Sequence, residues 1–455
     1  MPVIQLVCGM AGALVVAGVF LRAGLFGGCL AVLLAGSCFG HPFYFLPAYP
    51  IPITADRALM AGLVLQYLVY RRLGLAEPKP MRRADWLLAG LLAVIVLSTF
   101  THDWRYKNNQ PVSDVLFQFL MPSALYWVAR QSAVTRKHVL WLLGGLAVFG
   151  VYLSLTAVCE VQGLSGWVYP RYINDAVRYP EYFGRGRGPF LDPTANGFVL
   201  ALCLAAAILT WPHLGRRGQL GLMLAMPVYA VGLYSTLTRS VWMGAAAAIV
   251  MVAALCVPRA WRWRLVAAAG LIAIVAVSAG WEHLLSFKRD RKVSAQDVAD
   301  SVQLRPILAM VAWNMFQDRP LLGCGYGQYE RQFIYYLADR SSGLPLEKAR
   351  RYVQHNTFLA LLTEVGLVGM ALFVSLLWLW TRDAWRLWRR AEVPLWARQV
   401  GLLFLAGMAA YVPNAMFHDM LLSPAVTMLL CIPAGALVSL SAATGRRPLQ
   451  LTTDH

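Results

Sequence analysis

The sequence predicts an all-α, polytopic membrane helix bundle of about 12–13 transmembrane helices, with one long, partly helical loop outside the membrane. Three observations predict it. The chain of 455 residues is 59% apolar and only 14% charged, whereas a soluble protein carries about 25% charged residues. Its apolar residues recur in runs of about 20, the length that crosses a bilayer as a helix. Those runs are too long and too uniformly apolar for barrel strands, so helices are what satisfy the backbone in lipid.

Taken in order, the apolar runs cover residues 3–21, 25–39, 53–70, 86–100, 112–128, 139–158, 194–211, 220–234, 241–257, 265–280, 357–380, 400–412 and 421–440. The first has no basic start and flows directly into the second, so it reads as a retained helix rather than a cleaved leader. Basic residues fill the links after alternate runs: Arg71, Arg72, Lys79, Arg82 and Arg83; Arg130, Arg136 and Lys137; Arg216 and Arg217; Arg259, Arg262 and Arg264; Arg382 to Arg398; Arg446 and Arg447. The positive-inside rule puts all of these in the cytoplasm. The loops at 159–193 and 281–356 then lie together on the outer face, with the short link Thr238-Arg239-Ser240. The whole of 1–455 reads as one membrane domain with these loops inside it. Whether the first two runs cross once or twice leaves twelve or thirteen spans, and the side of the N-terminus, open.

The net charge of +18 is explained by the cytoplasmic links, so nucleic acid is not an expected partner. The eight cysteines form no CxxC pair and mostly sit inside apolar runs as small core residues. No clustered carboxylates suit Mg²⁺ or Ca²⁺ and no His/Cys spacing suits zinc, so neither metal nor cofactor is expected.

Three outer-face stretches stand out. In Arg185-Gly186-Arg187-Gly188-Pro189-Phe190-Leu191-Asp192-Pro193, glycines expose backbone N–H groups beside two arginines where a helix opens, an arrangement suited to an anion. Arg239 sits between two apolar runs with almost no loop to hold it in water. It is either a snorkelling anchor or a functional group at the membrane surface. In the long loop, residues 297–318 read as an amphipathic helix with Leu304, Ile307, Leu308, Val311, Ala312 and Met315 on one face. Pro306 kinks that helix or lies near its start. A glycine turn, Gly323-Cys324-Gly325-Tyr326-Gly327, follows. Then comes His355, flanked by Gln354 and Asn356, with Glu364 further on in the next run. A lone interfacial histidine is usually structural; its polar company points to chemistry.

These motifs, in this order, resemble the O-antigen ligase and O-antigen polymerase superfamily of bacterial membrane glycosyltransferases. The resemblance rests on Gly188-Pro189-Phe190-Leu191-Asp192-Pro193-Thr194-Ala195-Asn196, on Thr238-Arg239, and on Arg305 ahead of Pro320-Leu321-Leu322-Gly323-Cys324-Gly325. It closes on His355-Asn356-Thr357-Phe358-Leu359 and Glu364-Val365-Gly366-Leu367-Val368-Gly369. It covers roughly residues 185–370. One departure is that Thr194-Ala195 separate Pro193 from Asn196, where the family often has Pro-Asn. The resemblance implies a GT-C-like enzyme of the bacterial inner membrane, active on the periplasmic face. It would transfer a glycan from undecaprenyl pyrophosphate to an acceptor hydroxyl, with inversion and without metal. It also implies His355 as base, Arg239 and Arg305 as pyrophosphate ligands, and Arg187 with its neighbour Arg185 as further ligands. Asn196, Asn356 and Glu364 would support them. The acceptor is left open among a lipid A core, another lipid-linked glycan and a protein side chain.

The rival reading is a transporter or flippase of lipid-linked saccharides. It expects ionisable residues near the middle of the spans. The polar signals gather instead at one face, which favours an enzyme.

Overall fold

The computed structural model describes residues 18, 22–40, 42–43, 45–46, 53–103, 110–257, 262, 264, 267, 295–339, 341, 343–352 and 355–444. They form an all-α polytopic bundle. The helices are α1 (Arg22–Cys38), α2 (Ala55–Arg72), α3 (Arg83–Phe100), α4 (Pro111–Gln131), α5 (Arg136–Gln162), α6 (Pro193–Thr210), α7 (Arg216–Ser235), α8 (Arg239–Cys256), α9 (Ala295–Asp318), α10 (Thr357–Arg389), α11 (Leu395–Phe417) and α12 (Pro424–Thr444). Eight of them, α3 to α6, α8 and α10 to α12, are long and apolar enough to cross a membrane. α1, α2 and α7 match three more of the apolar runs. The runs at 3–21 and 265–280 lie outside the described residues, apart from positions 18 and 267. The one strand pairing among the described residues joins Phe45–Leu46 to Ile53–Thr54.

α6 is the central helix. Pro193 at its first position and Asp192 as its cap, accepting the Thr194 N–H at 2.7 Å, set where it starts. Nearly all its residues are buried, and it packs against α5, α8 and α11. Between lipid-embedded helices close approach depends on small residues. A Cβ at Gly244 of α8 would stand 2.8 Å from the Ala410 carbonyl oxygen of α11, and one at Gly401 of α11 2.6 Å from that of Ala384 in α10.

At the end rich in basic links, a buried ion pair ties the helices together. Arg130 of α4 meets Asp85 of α3 at 2.6 Å, and Tyr126 donates to the same carboxylate. Lys79, in the link between α2 and α3, donates to the Ser132 carbonyl at 2.7 Å and to Ser439 of α12 at 2.7 Å.

The amphipathic helix read at 297–318 is α9. Its Ile307, Leu308, Val311, Ala312 and Met315 are buried, and the helix passes through Pro306. Most of that face joins Cys324, Tyr329, Phe333, Leu337, Leu346 and Ala349 in a small core separate from the bundle's.

α10 is two helices joined at Gly366, whose φ of 64° and ψ of −165° are not helical. The segment 320–325 fills the break. Its Cys324 and Gly325 N–H groups donate to the carbonyls of Thr363 and Glu364 at 2.8 and 3.0 Å, while Leu367 and Val368 donate to Pro320 and Leu321 at 2.8 and 3.2 Å. Gly366 is required twice over: its φ is left-handed, and a Cβ there would meet Leu322 N at 2.6 Å. The break lies about 13 Å along the helix from Thr357, at 1.5 Å per residue. Irregular backbone at that depth persists only where protein satisfies it.

Candidate active site

His355 precedes α10 by two residues. Asn356 caps the helix: its side-chain oxygen accepts from Phe358 and Leu359 N–H at 2.9 and 3.0 Å, and its amide donates to the Met416 carbonyl at 2.9 Å. Thr357 donates to the His418 carbonyl at 3.0 Å and accepts from Met420 N–H at 2.8 Å. The end of α11 and the link to α12 are thereby clasped around the start of α10, which fixes the backbone that carries the histidine.

Arg305 of α9 reaches the same place. Its guanidinium carbon lies 4.9 Å from the centre of the Phe417 ring, at the end of α11. Burial, then the Arg305 charge, hold the His355 imidazole below its ordinary pKa. Burial, then the charge of Arg239, act in the same direction on Arg305. Arg305, from α9, is therefore within electrostatic reach both of His355, at the start of α10, and of Arg239, from α8. The imidazole is neutral near pH 7, with the half-buried Arg305 acting on it and the half-buried Arg239 acting on Arg305 in turn.

The 185–188 stretch is placed differently. Arg187 is fully buried. Its guanidinium donates to the carbonyls of Tyr179, Glu181 and Ile173 at 2.6, 2.6 and 2.8 Å, and Glu160 of α5 lies 3.7 Å away. Glu160 also accepts the Gly188 N–H at 2.8 Å. Asn196 is buried and donates to the Gly186 carbonyl at 2.8 Å. Arg187 and Asn196 thus hold the loop onto α5 and α6, with both terminal nitrogens of Arg187 engaged by main-chain oxygens and its Nε facing Glu160. Gly186 N–H donates to Ser235 at 2.8 Å, anchoring the loop beside the link that leads to Arg239. Arg185 is half-buried over the ring of Tyr182, at 5.4 Å.

Glu364 faces away from the arginines. Its carboxylate accepts the Tyr329 N–H at 3.4 Å and lines a cavity of about 300 Å³ with Asp114, Gln118, Tyr326, Glu330 and Asp419. Burial pushes the Asp419 carboxyl up to about 6, against the opposing pull of Leu421 N–H and the Thr357 hydroxyl. Glu160, Phe417 and Asp419 were not singled out from sequence. The one signal for Glu160 is a lone carboxylate at the end of an apolar run; Phe417 and Asp419 have none. Among the described residues no group of three or more His, Cys, Asp or Glu side chains is arranged to hold a metal ion.

Fold and site define a multi-pass α-helical membrane protein whose arginines and histidine converge at the end of the bundle that carries its long loops. Residues 222–374, about a third of the chain, match the family model for O-antigen ligase. That stretch holds Arg239, Arg305, His355, Glu364 and the Gly366 break. It supports the O-antigen ligase and polymerase superfamily and, in general terms, an O-antigen ligase-like membrane glycosyltransferase. No curated protein matches the chain.

Proposed function

We propose that the protein is an inverting, metal-independent glycosyltransferase of the bacterial inner membrane. It moves a glycan from undecaprenyl pyrophosphate to an acceptor hydroxyl on the periplasmic face. The observation that carries this reading is that Arg305, seated 4.9 Å from the Phe417 ring, links His355 and Arg239 from two other elements.

The acceptor oxygen attacks the anomeric carbon from the side opposite the carrier. As that C–O bond forms, His355 takes the hydroxyl proton, which a neutral imidazole can do near pH 7. The bond from the anomeric carbon to the phosphate oxygen breaks, and the pyrophosphate leaves with the electron pair. Arg239 and Arg305 stabilise the charge that grows there, and Arg185 assists from the loop that Gly186 anchors to Ser235. Asn356 positions His355 by capping α10. Arg187, Asn196 and Glu364 act through the backbone they hold.

The test is His355→Ala in a host lacking its own copy, with membrane levels checked by blot. Finished polysaccharide should be lost while carrier-linked glycan accumulates on the outer face. Normal polysaccharide would remove His355 from the chemistry, and accumulation on the cytoplasmic face would favour a transporter.

A further inference from the structure

Arg57 heads an apolar stripe that the reaction above does not use. On α2, Met60, Ala61, Val64, Leu65 and Leu68 follow it at +3, +4, +7, +8 and +11, one face of a helix. With Leu116, Phe117, Leu120, Met121 and Ala124 of α4 they line an open groove of about 590 Å³ in which Arg57 is the one charged residue. Leu65 and Leu68 are 62% and 50% exposed, so the groove faces outward from the bundle.

The α4 wall is irregular. Val115–Leu120 is a π-helical segment, a rare form that often marks functional sites. It holds Phe117, whose ring centre lies 3.8 Å from the Arg57 guanidinium carbon, and Gln118. Arg57, Phe117 and Met121 are shared between the groove and a cavity of about 420 Å³ lined in part by Asp56, Asp114 and Asp192. Asp114, Gln118 and Leu422 are shared in turn between that cavity and the 300 Å³ cavity beneath the first half of α10. An apolar groove, an arginine at its neck and two carboxylate-lined chambers thus adjoin in series, as one path of shared lining residues. None of Arg239, Arg305 and His355 lines it.

We propose that this path is a second lipid site, which takes a phosphate-linked lipid saccharide whose sugars are neutral or amino. The hydrocarbon tail lies in the groove, packed by van der Waals contact against the α2 stripe. Arg57, stacked on Phe117, presents its donor edge to the phosphate. The sugars occupy the chambers. Six carboxylates line these, Asp56, Asp114, Asp192, Glu330, Glu364 and Asp419, and Arg57 is the one cation among the described lining residues. Such walls accept hydrogen bonds from hydroxyl and ammonium groups and offer no second cation to pair with a uronic acid or a phosphorylated sugar. That the bound lipid is the acceptor rests on the transferase reading; the binding itself does not.

The test uses the full chain in lipid nanodiscs with a diazirine-tailed polyprenyl pyrophosphate, carrying either an N-acetylhexosamine or a hexuronic acid. Crosslinked peptides should fall on 60–68 and 116–124. Leu65→Trp, which fills the groove from its exposed side, and Arg57→Gln should each weaken this labelling at least about tenfold. Val69→Trp, outside the groove, should not. The uronic probe should label at least about tenfold less than the neutral one. Labelling elsewhere only, or indifference to Leu65→Trp and to sugar charge, overturns the proposal. Labelling as expected in a protein that shows no glycan transfer upholds the site and rejects the transferase reading. Transfer that needs His355 but ignores Leu65→Trp and Arg57→Gln rejects the acceptor role of the bound lipid.

Discussion

The backbone N–H of Gly325 donates to the carbonyl oxygen of Glu364 at 3.0 Å. A glycine turn of the loop thereby completes the end of a broken membrane helix. On the other side of the break, α10 donates back to Pro320 and Leu321. The two motifs, thirty-odd residues apart in the chain, form one hydrogen-bonded unit.

That unit makes Gly366 sensitive to any side chain. Gly366→Ala places a Cβ against Leu321 and Leu322 and forces alanine into left-handed φ. The backbone strain alone is about 1–3 kcal/mol, and the contact adds to it. The expected result is a lower unfolding temperature in detergent by tryptophan fluorescence, with glycan transfer lost. A variant that unfolds at the wild-type temperature would show that the break is not constrained in this way.

Arg187 is expected to behave as a structural residue. Arg187→Ala leaves the Glu160 carboxylate and the buried Ile173 carbonyl without their partner, and removing one partner of a buried ion pair costs about 3–5 kcal/mol. Membrane yield and thermal stability should drop together, and the protein that remains should bind donor normally. Normal stability with donor binding lost would return Arg187 to the pyrophosphate.

Asn356 performs two tasks that substitutions separate. Asn356→Ala removes both the cap, worth about 1 kcal/mol, and the donor to Met416. Asn356→Asp keeps a capping oxygen but loses the donor. If the tie to α11 positions His355, Asn356→Asp should fold normally by thermal melt yet transfer glycan slowly, with kcat lowered more than KM. Full activity of Asn356→Asp would assign the residue to the cap alone.

The pH profile follows from the His355 environment. Burial and the Arg305 charge lower its pKa, so the neutral, proton-accepting form persists to more acid pH than for an ordinary histidine near 6.5. The acid limb of transfer, measured as kcat/KM against pH, should therefore fall below pH 6.5. Arg305→Lys, which keeps the charge, should leave that limb in place, and Arg305→Gln should shift it upward in whatever activity remains. An acid limb above the ordinary histidine range would contradict the geometry.

Much of this was legible in the sequence, for particular reasons. The membrane helices follow from runs of apolar residues, and α9 from six apolar positions at helical spacing, five of which the structure shows buried. Arg239 stood out as a charge between two apolar runs, His355 by its polar neighbours, and Arg305 through the resemblance. Arg187 stood out among glycines where a helix opens, but sequence does not show that Glu160 and three carbonyls of its own loop absorb it. The Gly366 break was hidden because Glu364-Val365-Gly366-Leu367-Val368-Gly369 reads equally well as the small-residue face of a continuous helix. Only the chain that fills the gap distinguishes the two. Phe417 ends α11 and Asp419 lies in the link beyond it, neither with a distinctive spacing; Phe417 matters for the ring it offers Arg305 and Asp419 for its place beside Thr357.

The interlock at Gly366 also determines which pieces of this protein can be exchanged with a relative. A loop grafted between 281 and 356 alone would bring a foreign 320–325 segment to a helix gap shaped for the native one. Its backbone groups, and those of Thr363 and Glu364, would have to be satisfied afresh at membrane depth. The smallest transferable module therefore extends past the loop to Val368. A change of loop that alters specificity must carry the first turns of the following helix with it.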